Sequence, residues 1–313
     1  MAQKIVNIKE ISHEEWLALR RKGIGGSDAA CCANMNPYKS LLALYADKKE
    51  MSNEIEDNEA MRIGRDLEDY VAKRFEEATE KKVRNDNFMY HHDDYPFIIA
   101  DIDRRVVGEE AILECKTMNS SYAKNFDIQH GLVPENYYCQ CQHYMYVTDT
   151  KAAYLAVLIL GQGGDFQWCE IARNDEFISQ MIAKEIDFWN NNVLKDEPPA
   201  PDGSDSSSEA LKDMFVEREE GTITNIPDFD DLIAQHRFLK GQIKEMNEEA
   251  TEIENKIKLA LGNKEFAEGT RYKVSYKFGK TRRVDTELLK SAGVYEQYSK
   301  ESVQRRFLTS EIK

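Results

Sequence analysis

The residues with the clearest chemical potential are Asp103 and, one short turn later, the run Glu114-Cys115-Lys116. Successive side chains of a strand point to opposite faces, so Glu114 and Lys116 share one face while Cys115 points into the core. If residues 104–107 pair antiparallel with residues 111–116, Asp103 and Glu114 lie near the same end of the hairpin. Two carboxylates and the backbone carbonyl of Cys115 would then meet beside an ammonium group.

This set of groups has the composition of a metal-dependent phosphodiesterase site. Mg²⁺ prefers oxygen ligands and is usually held by one or two carboxylates together with substrate phosphate. Such a metal activates a water molecule and stabilises the charge of the transition state. Lys116 would orient that water or, if its pKa is lowered, deprotonate it. The spacing alone is weak support, because a salt-bridged surface strand produces the same pattern more often.

A glycine-rich turn at residues 23–28 follows Arg20 and Arg21 and opens onto a helix of small residues. Free backbone N–H groups at such a turn, together with arginines, suit a bound phosphate. The alternative is an ordinary helix start at which Ser27 or Asp28 serves as the cap.

Two predicted helices add polar residues to this picture. Glu68 lies on an amphipathic helix beside Arg62 and Arg65, and the alternative there is a solvated charged face. A second helix carries polar and aromatic side chains at helical spacing: Tyr137, Gln140 and either His143 or Tyr144. A buried glutamine needs a hydrogen-bond partner, although a packed aromatic helix is the simpler interpretation.

Sequence periodicity predicts the elements that must position these residues. A capping box, Ser12 with Glu15, opens the first helix. Further helices are predicted at residues 40–49, 60–78, 137–147 and 175–194. Strands are predicted at residues 88–90, 97–100, 104–107, 111–116, 151–160 and 166–171. This order indicates an α/β fold with a mixed central sheet flanked by helices.

The chain is predicted to divide at residues 196–209, which are rich in Pro, Ser, Gly and Asp and are typical of a linker. Residues 1–195 form the core, and residues 210–313 form a C-terminal region. There, apolar or tolerant residues alternate at spacings of three and four from Phe229 to Ala260. This heptad pattern predicts one long helix ending at Leu261, followed by a small β-containing segment. The helix either packs in a helical hairpin or against the core, or it forms a seam for a partner or subunit.

The charge and hydropathy of the chain bound its partners. Its 313 residues include 42 basic and 57 acidic ones, a net charge of −15, which at face value argues against nucleic acid. Residues 264–313 alone have 12 basic and 7 acidic residues, a net charge of +5, so residues 1–263 carry −20. No apolar run is long enough to cross a membrane, and six cysteines in apolar contexts predict a reduced, cytoplasmic protein.

The order of six segments resembles the YqaJ-type viral recombinases, the lambda-exonuclease-like branch of the PD-(D/E)XK nucleases. The segments are WLALRRKGIGGSDAA, NPYKS, RIGRDLEDYVAKRF, ADIDRRV, ILECKT and YYCQCQHYMYV. The resemblance covers about residues 10–195, and it rests on the combination and order of the segments. It implies a PD-(D/E)XK restriction-endonuclease-like core.

The resemblance also implies an activity. It predicts a Mg²⁺-dependent exonuclease, with one or two ions and with Mn²⁺ able to substitute, that digests the 5′-ended strand of linear duplex DNA. The product would be a 3′ overhang for a phage single-strand annealing protein, made in the cytoplasm of the bacterial host. Members of the family form ring-shaped trimers. The alternatives are a structure-specific or nicking endonuclease on the same core, or an inactive DNA-binding adaptor.

By resemblance, Asp103, Glu114 and the carbonyl of Cys115 bind the metal, Glu68 supports the metal site, and Lys116 is the catalytic lysine. The segment ADIDRRV stands where the lambda pattern has a Pro-Asp-Gly turn, so Asp101 competes with Asp103 as a ligand. Asp103 is preferred, because it directly precedes the arginine.

The remaining assignments by resemblance concern the substrate. Ser27 and an upstream arginine correspond to the pocket for the terminal 5′-phosphate. The arginine is Arg20 or Arg21, and register with Ser27 favours Arg20. Gln140, supported by Tyr137, corresponds to the polar pair on the helix beside the site. The C-terminal region is interpreted as a partner- or DNA-binding extension.

Overall fold

The computed structural model describes residues 3–53, 57–217 and 223–300, together with Phe307 and Thr309. The chain divides into two compact units, Met1–Arg218 and Glu219–Lys313. No helix within the described ranges is both long and apolar enough to cross a membrane.

The described residues of the first unit form eight strands in two sheets. They are β1 (Gln3–Asn7), β2 (Val83–Asn85), β3 (Phe88–His91), β4 (Ile99–Asp101), β5 (Arg104–Val106), β6 (Ala111–Asn119), β7 (Ala152–Leu160) and β8 (Asp165–Ala172). The larger sheet has the order β2-β5-β6-β7-β8, in which β6 and β7 are parallel and the other pairs antiparallel. The smaller antiparallel sheet has the order β1-β3-β4.

In the described part of this unit, eight α-helices accompany the sheets. They are α1 (His13–Arg21), α2 (Gly26–Cys32), α3 (Leu41–Lys48), α4 (Glu59–Thr79), α5 (Ser120–Ala123), α6 (Glu135–Thr148), α7 (Asp175–Phe188) and α8 (Asp205–Met214). The predicted capping box is present at α1, where Ser12 Oγ accepts from Glu15 N and Glu15 Oε2 accepts from Ser12 N. The predicted helix 175–194 continues past α7 as a π-helical turn, Trp189–Val193.

Strand β6 is buried on both faces. On one side Leu113 packs with Val71 and Phe75 of α4. On the other, Ile112 packs with Cys141 and other residues of α6. The predicted fold class, a mixed central sheet flanked by helices, is therefore confirmed.

Two features of the first unit differ from the sequence-based prediction. The run of central strands splits between two sheets, because the chain leaves β4 through Ile102 and Asp103 before β5 begins, and an unpredicted strand β1 completes the smaller sheet. The predicted linker 196–209 also extends too far. Its last residues begin α8, whose Ser207 and Ala210 are buried, and Ser206 Oγ accepts from Ser40 N at 3.0 Å.

The second unit contains the long helix α9 (Phe229–Leu261), the antiparallel pair β9 (Phe266–Glu268) and β10 (Lys273–Ser275), and α10 (Thr286–Ser291). Gly262, with φ of +56°, ends α9 as the sequence predicted. The heptad residues of α9 are exposed: Leu239 by 56%, Ile243 by 48%, Met246 by 62% and Ile253 by 58%. The long helix and the small β segment are confirmed.

Candidate active site

The pairing of β5 with β6 brings the first predicted acid to the second. Arg104 lies opposite Leu113, so the next residues outward, Asp103 and Glu114, face each other beyond the end of the paired segment. Asp103 Oδ2 accepts a hydrogen bond of 2.7 Å from the backbone N–H of Cys115. The hairpin predicted from residues 104–107 and 111–116 is thus formed, with its two carboxylates at one end.

Glu114 is the most deeply buried member of the site, at 1% exposed. Its Oε1 lies 2.6 Å from Lys116 Nζ and 2.7 Å from Gln140 Nε2, both of which donate to it. Its Oε2 has no hydrogen-bond partner among the described residues. A buried carboxylate oxygen without a partner is costly, so this atom marks a position where a cation would be stabilised.

The electrostatics of the two acids support that interpretation. Burial, followed by repulsion from Glu114 and Glu68, holds the pKa of Asp103 well above its ordinary value. Burial also raises the pKa of Glu114, even though Lys116 opposes the shift. Like charges in a desolvated site favour protonation of one partner unless a positive charge is added.

Lys116 behaves as a cation in this arrangement. Burial alone would lower its pKa, but the neighbouring Glu114 and Asp103 carboxylates outweigh burial and raise that pKa above its ordinary value. Its Nζ also lies 5.4 Å from the ring centre of Tyr137. These carboxylates therefore hold Lys116 as a cation, a form that is suited to orient water and stabilise negative charge.

Arg104 is a site residue that the sequence analysis missed. It is buried, and its Nη1 donates both to Glu68 Oε1 and, at 2.7 Å, to the backbone oxygen of Asp103. Its Nη2 donates to Asp69 Oδ1 at 2.6 Å. Glu68 is thus held beside Asp103 through an ion pair with Arg104. The signal was available, because strand alternation places Arg104 inward together with Val106.

On α6, the choice between His143 and Tyr144 is decided by geometry. Gln140 Nε2 donates to Tyr144 Oη at 3.1 Å as well as to Glu114. Gln140 and Tyr144 therefore form one face of the site. His143 faces away, with Nδ1 3.0 Å from Glu185 Oε1. A β-carbon at Gly26 would lie 2.5 Å from the Tyr144 ring, so α2 packs closely here because that residue is glycine.

The glycine-rich turn separates the two candidate arginines. Arg20 Nη2 donates to Ser27 Oγ at 2.7 Å, whereas Arg21 Nε lies 3.8 Å from Asp47 Oδ1. Behind the turn, the unpredicted Lys48 donates to the Arg20 backbone oxygen at 2.9 Å and to buried Asp28 at 2.7 Å. The structure therefore brings Arg20, and not Arg21, to Ser27.

Asp101 has a different environment from Asp103. The indole N–H of Trp16 donates to Asp101 Oδ2 at 2.7 Å, and burial raises the pKa of this carboxyl group. The Arg20 guanidinium lies 4.9 Å from the Trp16 ring. Asp101 is thus bonded to Trp16 of α1, while Asp103 is the acid that is bonded to β6.

Comparison with known proteins identifies the family of this chain. A sequence profile described as the YqaJ-like viral recombinase domain matches residues 15–151. A protein of Bacillus subtilis (strain 168) named "Uncharacterized protein YqaJ" is 39% identical over 317 residues, covering 99% of this chain and 98% of that protein. The chain belongs to the YqaJ-like viral recombinase family. The resemblance inferred from its motifs is confirmed.

Two solved structures are also similar to the chain. An alkaline exonuclease from Laribacter hongkongensis is 22% identical, covering 59% of this chain and 94% of that chain with a TM-score of 0.49. A phage-related exonuclease from Haemophilus somnus 129PT is 13% identical, covering 55% of this chain and 96% of that chain with a TM-score of 0.45.

The YqaJ-like domain match contains every site residue described above, from Trp16 to Tyr144. The second unit lies outside that match, yet the Bacillus subtilis YqaJ protein aligns with nearly the whole chain, including this unit. The second unit is therefore a shared feature of these two family members.

The donor groups of the YqaJ-like site fit a hard divalent cation. In the described part of the chain, no group of three carboxylate, imidazole or thiol side chains is placed to hold a metal ion by itself. Mg²⁺ is compatible with such an open arrangement, because it keeps several waters and binds through one or two carboxylates plus substrate oxygens. Asp103 and the unpartnered Oε2 of Glu114 supply that number of carboxylates.

Proposed function

We propose that this protein is a Mg²⁺-dependent exonuclease that digests the 5′-ended strand of linear duplex DNA in the 5′→3′ direction. The proposal rests mainly on Glu114, a buried carboxylate with one oxygen bound by Lys116 and Gln140 and the other without a partner. Membership of a viral recombinase family supports a role in phage recombination. The 3′ overhangs left by this reaction would serve strand annealing.

Each residue of the site has a role in this reaction. Asp103, Glu114 and the Cys115 carbonyl would hold one or two Mg²⁺ ions, with Glu68 supporting the site. The metal, which Mn²⁺ would replace, activates water and neutralises developing charge when bound. Lys116 orients the attacking water and stabilises charge on the scissile phosphate. Gln140 keeps Glu114 aligned by donating to its Oε1.

Polarity follows from the glycine-rich turn. If Arg20 and Ser27 bind the 5′-phosphate, the first phosphodiester bond of that strand would lie at the two acids, Asp103 and Glu114. Arg20→Gln should then remove the preference for 5′-phosphorylated over 5′-hydroxyl ends. Arg21→Gln is the matched control, because Arg21 faces Asp47 and should leave that preference unchanged.

The proposal includes partners and assembly. The substrate is a duplex DNA end, the product is passed to a phage single-strand annealing protein, and the reaction takes place in the host cytoplasm. A ring-shaped homotrimer would enclose the DNA.

The second unit is proposed as a partner- or DNA-binding extension. Deleting residues 219–313 tests this, and unchanged DNA affinity, salt dependence and annealing-protein binding would reject both roles.

The decisive experiment compares linear duplexes with 5′-phosphate or 5′-hydroxyl ends and a covalently closed circle, with and without Mg²⁺. We expect nucleotide release from the phosphorylated linear duplex only with Mg²⁺, and none from the circle. Lys116→Ala should abolish release and retain binding. Cleavage of the circle would favour a structure-specific or nicking endonuclease, and binding without any hydrolysis by the wild type would favour an inactive adaptor.

A further inference from the structure

A cluster of tyrosines that the reaction above does not use lies beside the site. Tyr38 is 66% exposed, and its ring centre lies 6.4 Å from that of the half-buried Tyr122. Tyr122 in turn packs against Phe126, with ring centres 5.1 Å apart. One side of Tyr38 thus lies against a tilted aromatic pair, while most of the side chain remains open to solvent.

This cluster is connected to both parts of the proposed site, the glycine-rich turn and the strand that carries the acidic residue. Asn36 Oδ1 accepts from Tyr38 N at 2.8 Å, and its Nδ2 lies 3.5 Å from the backbone oxygen of Ser27 in the glycine-rich turn. Tyr122 lies in α5, which directly follows the strand that carries Glu114 and Lys116. The cluster is therefore anchored at one end to the predicted phosphate turn and at the other to the acidic site.

Electrostatic coupling gives the same placement. Burial, followed by the hydrogen bond and charge of Tyr38, raises the pKa of Tyr122 to about 12. The pKa of Tyr137 is raised by burial and is also influenced by both Lys116 and Tyr38. The Tyr137 ring centre lies 5.4 Å from Lys116 Nζ.

We propose that Tyr38, supported by Tyr122, stacks on the terminal base of the 5′-ended strand. This inference rests on the proposed exonuclease function. When the terminal phosphate binds at Ser27 and the next phosphate at Lys116, the intervening base must leave its complement and find a new apolar surface. An exposed aromatic ring supplies that surface for any base, because every base has a π-face. The site would thus accept all four nucleotides.

The test combines removal of the ring with removal of the base. Tyr38→Leu should raise KM for a 5′-phosphorylated duplex about 10-fold, within the range of base–aromatic stacking, and leave kcat nearly unchanged. An abasic 5′-terminal nucleotide should raise the wild-type KM by a similar factor. When the two changes are combined, KM should rise no more than with either change alone, because both remove the same ring–base contact. If the two factors multiply instead, the proposal is overturned.

Two controls make the result specific. Tyr38→Phe keeps the ring and should behave like the wild type. Tyr70→Leu removes another exposed tyrosine of the first unit, which contacts Arg74, and should leave KM unchanged. Equal effects of Tyr38→Leu and Tyr70→Leu would reduce the result to a general loss of surface aromatic contact and would reject the stacking role.

A second measurement does not depend on hydrolysis. A duplex carrying 5-iodouracil at the 5′-terminal position is irradiated with the full-length Lys116→Ala variant, and the cross-linked residue is identified by mass spectrometry. We expect cross-linking to Tyr38, and much less when the label is moved three nucleotides inward. Cross-linking elsewhere would overturn the stacking proposal while leaving the exonuclease proposal intact. Cross-linking at Tyr38 without any wild-type hydrolysis would reject the exonuclease proposal alone.

Discussion

Strand β6 of the first unit and helix α9 of the second have opposite burial. In β6, Ile112 and Leu113 are fully buried on opposite faces and even Glu114 is 1% exposed. In α9, residues that repeat with heptad spacing, among them Ile243 and Met246, are about half exposed or more. Both elements were predicted from periodicity, yet periodicity alone does not say which of them has its apolar face covered.

Burial determines what a charged residue indicates in each region. In β6, burial makes the unpartnered carboxylate oxygen of Glu114 costly, and a cation of the kind proposed for this site would stabilise it. In α9, ion pairs such as Lys256 with Glu252 lie on an exposed surface and contribute little. The same residue types therefore indicate a reactive site in one region and a solvated helix face in the other.

The largest expected contrast is in stability. Leu113→Ala should lower the unfolding free energy of the first unit by about 2–5 kcal/mol, because it removes buried methyl groups and leaves a cavity. Met246→Ala in α9 should change stability by less than about 0.5 kcal/mol, as expected for an exposed position. Urea denaturation measures both. Tryptophan fluorescence follows the first unit, which contains all three tryptophans, and far-ultraviolet circular dichroism follows α9 in the second unit. Similar losses from the two substitutions would show that the α9 seam is covered in solution.

A smaller effect is expected where burial acts on activity. Gln140→Ala removes the amide that aligns Glu114, and we expect the rate of nucleotide release to fall about 10- to 100-fold. Gln142→Ala is the matched control on the same helix, because its side chain bonds the backbone of Ala172 and Asn174 away from the site. It should lower stability while leaving the rate nearly unchanged. Equal rate losses from both would argue for a general effect of helix packing.

Replacing glycine with alanine should lower stability in the first unit and raise it in α9. Gly26→Ala places a β-carbon 2.5 Å from the Tyr144 ring and should cost about 1–3 kcal/mol of stability. Gly241→Ala in α9 meets no neighbouring atom and should stabilise the helix by up to about 1 kcal/mol, since glycine is the poorer helix former. Thermal unfolding followed by circular dichroism measures both variants. A destabilising Gly241→Ala would mean that another surface packs closely against α9.

The two elements, although not their difference in burial, could be predicted from the sequence. Strand alternation and an antiparallel hairpin are local rules, and they predicted that Asp103, Glu114 and Lys116 would converge. Heptad spacing and the following glycine predicted the end of α9. The exposure of α9 was not predictable, because the spacing of apolar residues is the same whether the seam is covered or open.

What was missed depends on contacts between distant residues. Strand alternation places Arg104 inward, but the acids that neutralise it, Glu68 and Asp69, lie on α4, and no local pattern predicts that pairing. Helix α8 was not predicted, because it begins in a polar segment and its buried residues are small. Ser207 is stabilised there by donating to Asp202 Oδ1 at 2.6 Å, so a serine fills a core position that sequence reasoning reserves for apolar side chains.

The two regions should finally differ in their response to pH. His143 Nδ1 lies 3.0 Å from Glu185 Oε1, and Nε2 lies 2.8 Å from the Ile99 backbone oxygen, so both ring nitrogens face acceptors and the imidazolium satisfies both. Although burial opposes this charge, Glu185 raises the pKa of His143 above its ordinary value. Burial raises the pKa of Glu185, with His143 opposing the shift.

Both shifts make the folded state bind more protons than the unfolded state. The unfolding free energy of the first unit should therefore fall as pH rises above about 6.5, with a slope of at most about 1.4 kcal/mol per pH unit for one linked proton. Glu185→Gln keeps a hydrogen-bonding side chain at this position and should flatten the slope. Denaturant unfolding between pH 6 and 8 measures it, because burial also raises the pKa of the cysteine thiols and these add a slope at higher pH. An unchanged slope in Glu185→Gln would show that other groups cause the pH dependence. The charged residues along α9 are exposed, so the helical signal of the second unit should lack this slope.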